Sequence, residues 1–294
     1  MILSCILGII LTAQPINNTT DHLMITKHGI HVTTIKQEDF SFPYSTIPII
    51  DSKKYNLFLD NLDKQFSIEP QNATINLSGE IVPEKIGSRI HRQAFTEQLY
   101  AYLFSHKSGK LEIPMLPVYP KVDSELLSDI RGMRIGRYIT SFNPSNKKRS
   151  NNISLATEAI NNYVIFPGEN FSFNKAVGKR TASKGYLRAP VIIRGEFSED
   201  IGGGICQVSS TLFNAVDNAG LKIIQRFSHT RKVPYIPPGR DATVSWYGPD
   251  FVFRNNYKEP ILIRAKTLGH LLVIDLYSSD LIEYRPKKVP HAPY

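Results

Sequence analysis

Three consecutive glycines, Gly202-Gly203-Gly204, run into Ile205-Cys206-Gln207 and then into a segment whose apolar residues recur on a helical period. Val208, Leu212, Ala215, Val216 and Ala219 make one stripe, and Gly220 stands where a left-handed residue ends a helix. A helix with Cys206 on its first turn is therefore predicted. Unpaired N–H groups and the positive end of the macrodipole favour thiolate over thiol at that position. The glycines permit close backbone approach, so N–H groups can face an oxyanion forming on an acyl carbon attacked by sulfur. A buried structural cysteine with glycines that only pack a turn is the plainer alternative. Glycines, cysteine and helix start occurring together favour the nucleophile.

A thiol nucleophile needs a base, and the second half of the chain offers His229, His270 and His291. His270 is predicted at a hairpin tip and His291 in the tail. His229 follows the apolar-rich Leu221–Phe227, the predicted strand leaving the cysteine helix, and is the base by elimination. Asp241, at the start of a predicted strand, is the candidate to orient the imidazole, a turn or cap role being equally open. Arg240, with Arg226, Arg231 and Lys232, would stabilise a thiolate and attract a carboxylate. Ser209, Ser210 and Thr211 have no base to activate them. Cys206, His229 and Asp241 lack close metal-type spacing, so no metal and no cofactor is expected.

The net charge of +9 is not evenly spread: residues 1–137 hold 14 Lys+Arg against 14 Asp+Glu, and residues 138–294 hold 21 against 12. That excess favours an anionic partner such as a wall polymer or a carboxylate-bearing substrate. Nucleic acid is not expected, because no zinc-finger spacing, basic-region heptad or aromatic RNA-binding signature occurs. The only cysteines are Cys5 and Cys206, which excludes a disulfide framework. The apolar run Ile2–Ala13 is too short for a membrane span of roughly 20 residues but suits a signal-peptide core. An extracytoplasmic protein is expected, anchored or exported through residues 1–20, with no other membrane contact.

Two α+β domains are predicted. Residues 14–50 read as an irregular lead-in. Tyr55–Phe66 and Phe95–Leu103 are helical, Thr74–Leu77 and Glu80–Val82 flank a turn, and Leu111–Val118 is a Pro-interrupted edge strand. Asn143–Asn152 is a loop by composition, before a helix over Ile153–Tyr163. Thr243–Tyr247, Phe251–Phe253, Ile261–Lys266 and Leu271–Tyr277 read as an antiparallel meander, so the cysteine helix is expected to pack on an antiparallel sheet. The Pro- and Lys-rich tail is expected to be loose.

The blocks Pro167–Asn174, Val177–Thr181 with Gly185-Tyr186, Gly202–Asn214, His229 and Tyr235–Val244 resemble the VanW family, named after an accessory protein of vancomycin-resistance clusters. Ile81–Gly87 and Leu111–Pro114 resemble more loosely the domain, ascribed to peptidoglycan binding, that often precedes it. The resemblance divides the chain into residues 1–20, a peptidoglycan-binding domain at 21–137, a VanW domain at 138–280 and a basic tail at 281–294. It implies a cell-wall role, with peptidoglycan as partner. VanW domains have been proposed as L,D-transpeptidases that use the motif cysteine, here Cys206, through a thioester to cross-link third residues of stem peptides. On that reading Gly202, Gly203, Gly204, Gln207, Arg240 and Arg180 contact substrate, while His229 and Asp241 complete the catalytic group. The order of glycine turn, cysteine helix and strand ending near a histidine is similar to transglutaminases and papain-like proteins, an analogy of order alone. A non-catalytic wall-binding or glycopeptide-resistance module, and a thiol peptidase or amidase, are the alternatives.

Overall fold

The computed structural model describes residues 22–40, 42, 50–105, 108–193 and 196–293. Residues 1–20, expected as a signal or anchor, lie outside them. Among the described residues no helix is long and apolar enough to cross a membrane. Helices and strands are mixed throughout, in keeping with an α+β chain. Contacts divide it into two compact units, one ending at Gln71 and resuming over Lys85–Pro120, the other formed by Asn72–Glu84 and the chain from Lys121 onward. The expected division after residue 137 instead falls inside a strand that belongs wholly to the second unit.

The first unit opens with β1 (His22–Lys27) and β2 (Ile30–Lys36), a hairpin turned at His28-Gly29, where both φ angles are positive. The lead-in expected to be irregular is thus partly sheet, because alternation buries Leu23 and Ile25 while Met24 faces out. After α1 (Gln37–Phe40), α2 (Ser52–Phe66) is capped by the Asp51 carboxylate and buries Tyr55, Leu59 and Leu62. The chain then contributes a small hairpin, β3 (Thr74–Ile75) and β4 (Ile81–Val82), to the second unit. It returns for β5 (Gly87–Ile90), α3 (Arg92–Ser105), β6 (Gly109–Glu112) and β7 (Met115–Val118). The single strand expected over Leu111–Val118 is two strands in two sheets, β6 parallel to β1 and β7 antiparallel to β5. Pro114 breaks it, since proline has no N–H to continue a ladder.

The second unit continues with α4 (Ser124–Ile130), β8 (Met133–Ser141), α5 (Lys147–Ile160), β9 (Tyr163–Ile165), β10 (Asn170–Ser172), α6 (Phe173–Val177), the hairpin β11 (Arg188–Ile193) and β12 (Glu196–Ile201), and α7 (Ile205–Asn218). Then follow β13 (Lys222–Gln225), β14 (Val252–Arg254), β15 (Ile261–Leu268) and β16 (Leu271–Ser278). Its main sheet runs β8-β16-β15-β9, all antiparallel. Period-two alternation gives the sheet two buried faces: Ile261 and Ile263 join the cluster beneath α5 and α7, whereas Leu262 joins Val164, Leu127 and Ile130 under α4. Gly136 of β8 allows the close seating of α7, because a Cβ there would lie 2.5 Å from the Ala215 carbonyl oxygen.

Three local expectations are corrected. The loop assigned to residues 143–152 ends at Asn146, whose side chain accepts the Arg149 N–H and starts α5 six residues early. Thr243–Tyr247 is not a strand; the Thr243 N–H donates to the Phe227 carbonyl and the Ser245 N–H to the Pro249 carbonyl, while Asn174 of α6 holds the Ser245 carbonyl. The tail is docked, since the Lys287 N–H donates to the Asn218 carbonyl, Tyr138 Oη donates to the Pro290 carbonyl, and Val289 and Ala292 pack on the core.

Candidate functional site

The helix α7 begins at Gly204, whose φ of 107° favours glycine, and puts Cys206 second in its first turn. The glycines are sterically required. A Cβ on Gly203 would lie 2.5 Å from the Ala189 oxygen and 2.6 Å from the Pro190 oxygen, and one on Gly204 would lie 2.8 Å from Arg149 Cγ. Ile205 N–H and Gln207 N–H are taken by the Gly202 and Gly204 carbonyls, on either side of the cysteine.

Cys206 is partly exposed, and His229 lies near enough for its ring to lower the proton affinity of the thiol. Thr243 Oγ1 lies 3.7 Å and the Val244 carbonyl oxygen 3.5 Å from the sulfur. The other side of the imidazole is fixed: Asp241 Oδ2 accepts from His229 Nδ1 at 2.6 Å and from the His229 backbone N–H at 2.5 Å. With Nδ1 committed, Nε2 is the nitrogen left to face sulfur. Side chains of His229 and Asp241 are 7% and 8% exposed, so the three groups interact with little solvent screening.

Electrostatics follows from that geometry. Burial lowers the proton affinity of His229, but the Asp241 and Cys206 bonds and charges outweigh it and raise its pKa to about 9. Burial pushes the Cys206 thiol up, yet the hydrogen bond and charge of His229 bring it below the ordinary value. Burial also opposes ionisation of Asp241, and its two bonds to His229 prevail and lower its pKa. Each shift favours the charged form of its group: thiolate at Cys206, imidazolium at His229 and carboxylate at Asp241.

The segment carrying Asp241 is fastened to α7 by residues the sequence reading left without a role. Ser209 Oγ donates to the Ala242 carbonyl at 2.5 Å, Ser210 Oγ accepts the Ala242 N–H at 2.9 Å, and Asn214 Nδ2 donates to the Arg240 carbonyl at 2.8 Å. All three side chains are fully buried, as are the Gln207 and Thr211 side chains of the same helix, a pattern that requires buried partners. Arg149 and Tyr235 were also missed. Arg149 lies over the Tyr235 ring at 5.8 Å, both are desolvated, and both feel the Cys206 charge.

Two expected contacts lie elsewhere. Gln207 is buried, with Nε2 donating to Thr140 Oγ1 and the Ser141 carbonyl and Oε1 accepting from Arg149 Nη2 at 2.8 Å, so it anchors α7 to β8. Arg240 faces the far end of the helix, donating to Asn214 Oδ1 and Asp217 Oδ2 at 2.8 Å each, over the Phe213 ring. Neither is free to hold a ligand. Arg180 differs: it packs against Gly202, feels the Cys206 charge, and leaves both terminal nitrogens buried without a hydrogen-bond partner. A cavity of about 320 Å³ lies on the opposite face of the main sheet, lined by Arg264, Lys266, Asp275 and Tyr277, and contains none of these groups.

Fold and site together define an α+β protein with a cysteine, histidine and aspartate grouped at the head of a buried helix. A family model described as VanW like protein matches residues 148–277. The chain is 54% identical over 293 residues to the uncharacterized protein YoaR of Bacillus subtilis (strain 168), covering 100% of this chain and 96% of that one. It is 34% identical over 110 residues to the vancomycin B-type resistance protein VanW of Enterococcus faecalis (strain ATCC 700802 / V583), covering 36% of this chain and 40% of that protein. The chain belongs to one family with YoaR and carries a VanW-like domain over residues 148–277. No solved structure matches it.

Proposed function

We propose that the chain is an extracytoplasmic thiol acyltransferase acting on peptidoglycan stem peptides. The observation that supports this is the Asp241–His229 hydrogen bond beside Cys206, with the imidazole near enough to lower the thiol's proton affinity. Cys206 as thiolate adds to the carbonyl carbon of the stem's third residue, and the N–H of Cys206 with those of Gly203 and Gly204 receives the oxyanion, the Gly202 N–H being held by the Leu187 carbonyl. The C–N bond then breaks, the amine leaves with the proton carried by His229, and a thioester remains. An amine of a neighbouring stem attacks that thioester, His229 takes up its proton, and an amide between third residues restores the thiol. Asp241 keeps the ring oriented throughout. Arg180, which packs over the Phe173 ring but whose terminal nitrogens have no hydrogen-bond partner, is the cation left to pair with a stem carboxylate. The first unit and the basic half of the chain would hold the wall polymer nearby.

Incubating the purified protein with disaccharide-tetrapeptide, followed by intact-protein mass spectrometry and muropeptide analysis, tests this. An acyl adduct on Cys206 and a dimeric product are expected. Adduct with free acid as the only product makes the chain a peptidase or amidase. Neither adduct nor product, with binding retained in Cys206→Ser, leaves a non-catalytic wall-binding module.

A further inference from the structure

We infer that the turn Ser245–Gly248 is a saccharide-binding platform beside Cys206, so that the stem peptide is read with its sugar attached. The sugar's identity rests on the reading above; the platform itself rests on the following geometry.

Both segments that surround the sulfur continue into exposed aromatic residues. The Val244 carbonyl lies 3.5 Å from Cys206 Sγ, and two residues on come Trp246, 40% exposed, and Tyr247, 83% exposed. Phe227, two residues before His229, is 47% exposed, and its carbonyl accepts the Thr243 N–H at 2.8 Å. Three exposed rings are thus borne by two segments that a backbone hydrogen bond joins beside the sulfur, and exposed apolar surface at such a place marks a binding site.

The turn that carries two of these rings is built to stay in place. Gly248 N–H donates to the Ser245 carbonyl at 3.2 Å and Ser245 N–H to the Pro249 carbonyl at 2.8 Å. Asn174 Nδ2 donates to the Ser245 and Pro249 carbonyls at 2.9 and 3.1 Å, closing the turn from beneath. Asp250 in turn accepts from the Asn174 N–H and from Ser172 Oγ. A turn whose backbone is already held loses little further freedom when a ligand stacks on the rings it carries.

The chemistry selects a sugar over a protein partner. A pyranose presents apolar C–H faces and polar hydroxyl edges, and needs flat rings with donors at their margin. Lys179 Nζ sits over the Tyr247 ring at 5.2 Å and supplies such a donor. A protein partner would require about 800 Å² on this side, far more than one four-residue turn and a neighbouring phenylalanine offer.

Trp246 is the chain's single tryptophan, so its fluorescence reports the platform directly. Full-length Cys206→Ala, which cannot turn over, is titrated with disaccharide-tetrapeptide, with the peptide-free disaccharide and with free tetrapeptide. A saturable emission change is expected for both sugar-bearing ligands, with disaccharide-tetrapeptide binding about tenfold tighter than free tetrapeptide, and Tyr247→Ala removing that advantage. Equal affinity for the two peptides, or an advantage unchanged in Tyr247→Ala, overturns the inference. Acyl-adduct formation by the wild-type chain separates the two ideas. Adduct from both peptides at one rate, without an emission change, sinks the platform and leaves the thiol chemistry standing. Emission change without adduct sinks the chemistry and leaves the platform.

Discussion

Asp241 Oδ2 accepts two hydrogen bonds from one residue, the backbone N–H and the ring Nδ1 of His229, at 2.5 and 2.6 Å. A single oxygen thus fixes both where the residue sits in the chain and how its ring is turned. The carboxylate is fixed in its own right, because Ser210 and Asn214 of α7 hold the backbone on either side of it. Cysteine and base are therefore positioned from the same helix.

Asp241→Asn removes the negative charge while keeping the shape. The imidazole should lose proton affinity, the thiolate its counter-ion, and alkylation of Cys206 at neutral pH should slow on the order of tenfold to a hundredfold. Circular dichroism should be unchanged. A wild-type alkylation rate in this variant would show that the carboxylate does not act through the ring.

The raised pKa of His229, about 9 against 6.5, sets a pH window. The folded state binds this proton more tightly, so its stabilising contribution is full below about 6.5 and is lost as pH rises through about 9. The gap in melting temperature between wild type and His229→Gln should therefore narrow from pH 6.5 to above pH 9. Turnover should fall on its alkaline side near pH 9, where the leaving amine loses its proton donor.

Gly203→Ala forces a methyl group within 2.5 Å of the Ala189 oxygen and 2.6 Å of the Pro190 oxygen, both backbone atoms of β11. Neither can yield without shifting the strand. A loss of roughly 1–3 kcal/mol in denaturant unfolding is expected.

Arg240 and Arg180 should separate in a paired experiment. Arg240→Ala strips hydrogen bonds from Asn214 and Asp217 and should cost about 1–2 kcal/mol of stability, discounted for partial exposure. The alkylation rate of Cys206 should not change. Arg180→Met removes a buried cation with no hydrogen-bond partner, so stability should hold or rise while KM for a carboxylate-bearing stem rises. Equal melting temperatures for the two variants would contradict these assignments.

What could be read before folding was local. The glycine–cysteine helix start, the apolar stripe from Val208 to Ala219 and the strands Ile261–Leu268 and Leu271–Ser278 all carry their period within a few residues. His229 and Asp241 were reachable because few alternatives exist. Gln207 and Arg240 were misplaced because the sequence does not show which face of α7 meets β8 and which meets the 240–242 segment. Arg149 looked like part of a loop until Asn146 capped the helix beneath it. The buried hydroxyls of Ser209 and Ser210 were the overlooked clue, since polar groups facing inward on an apolar helix need partners.

The family match begins at residue 148, seven residues after β8 ends, yet β8 supplies Thr140 and Ser141 to the Gln207 amide and pairs with β16 along its whole length. A segment cut to the match would carry the cysteine on a helix with no floor and leave β16 as a raw edge. Inheritance of this centre as a movable cassette must therefore include the strand ahead of the recognisable motif, and any excised fragment should be trimmed no closer than Asn72, where the second compact unit begins.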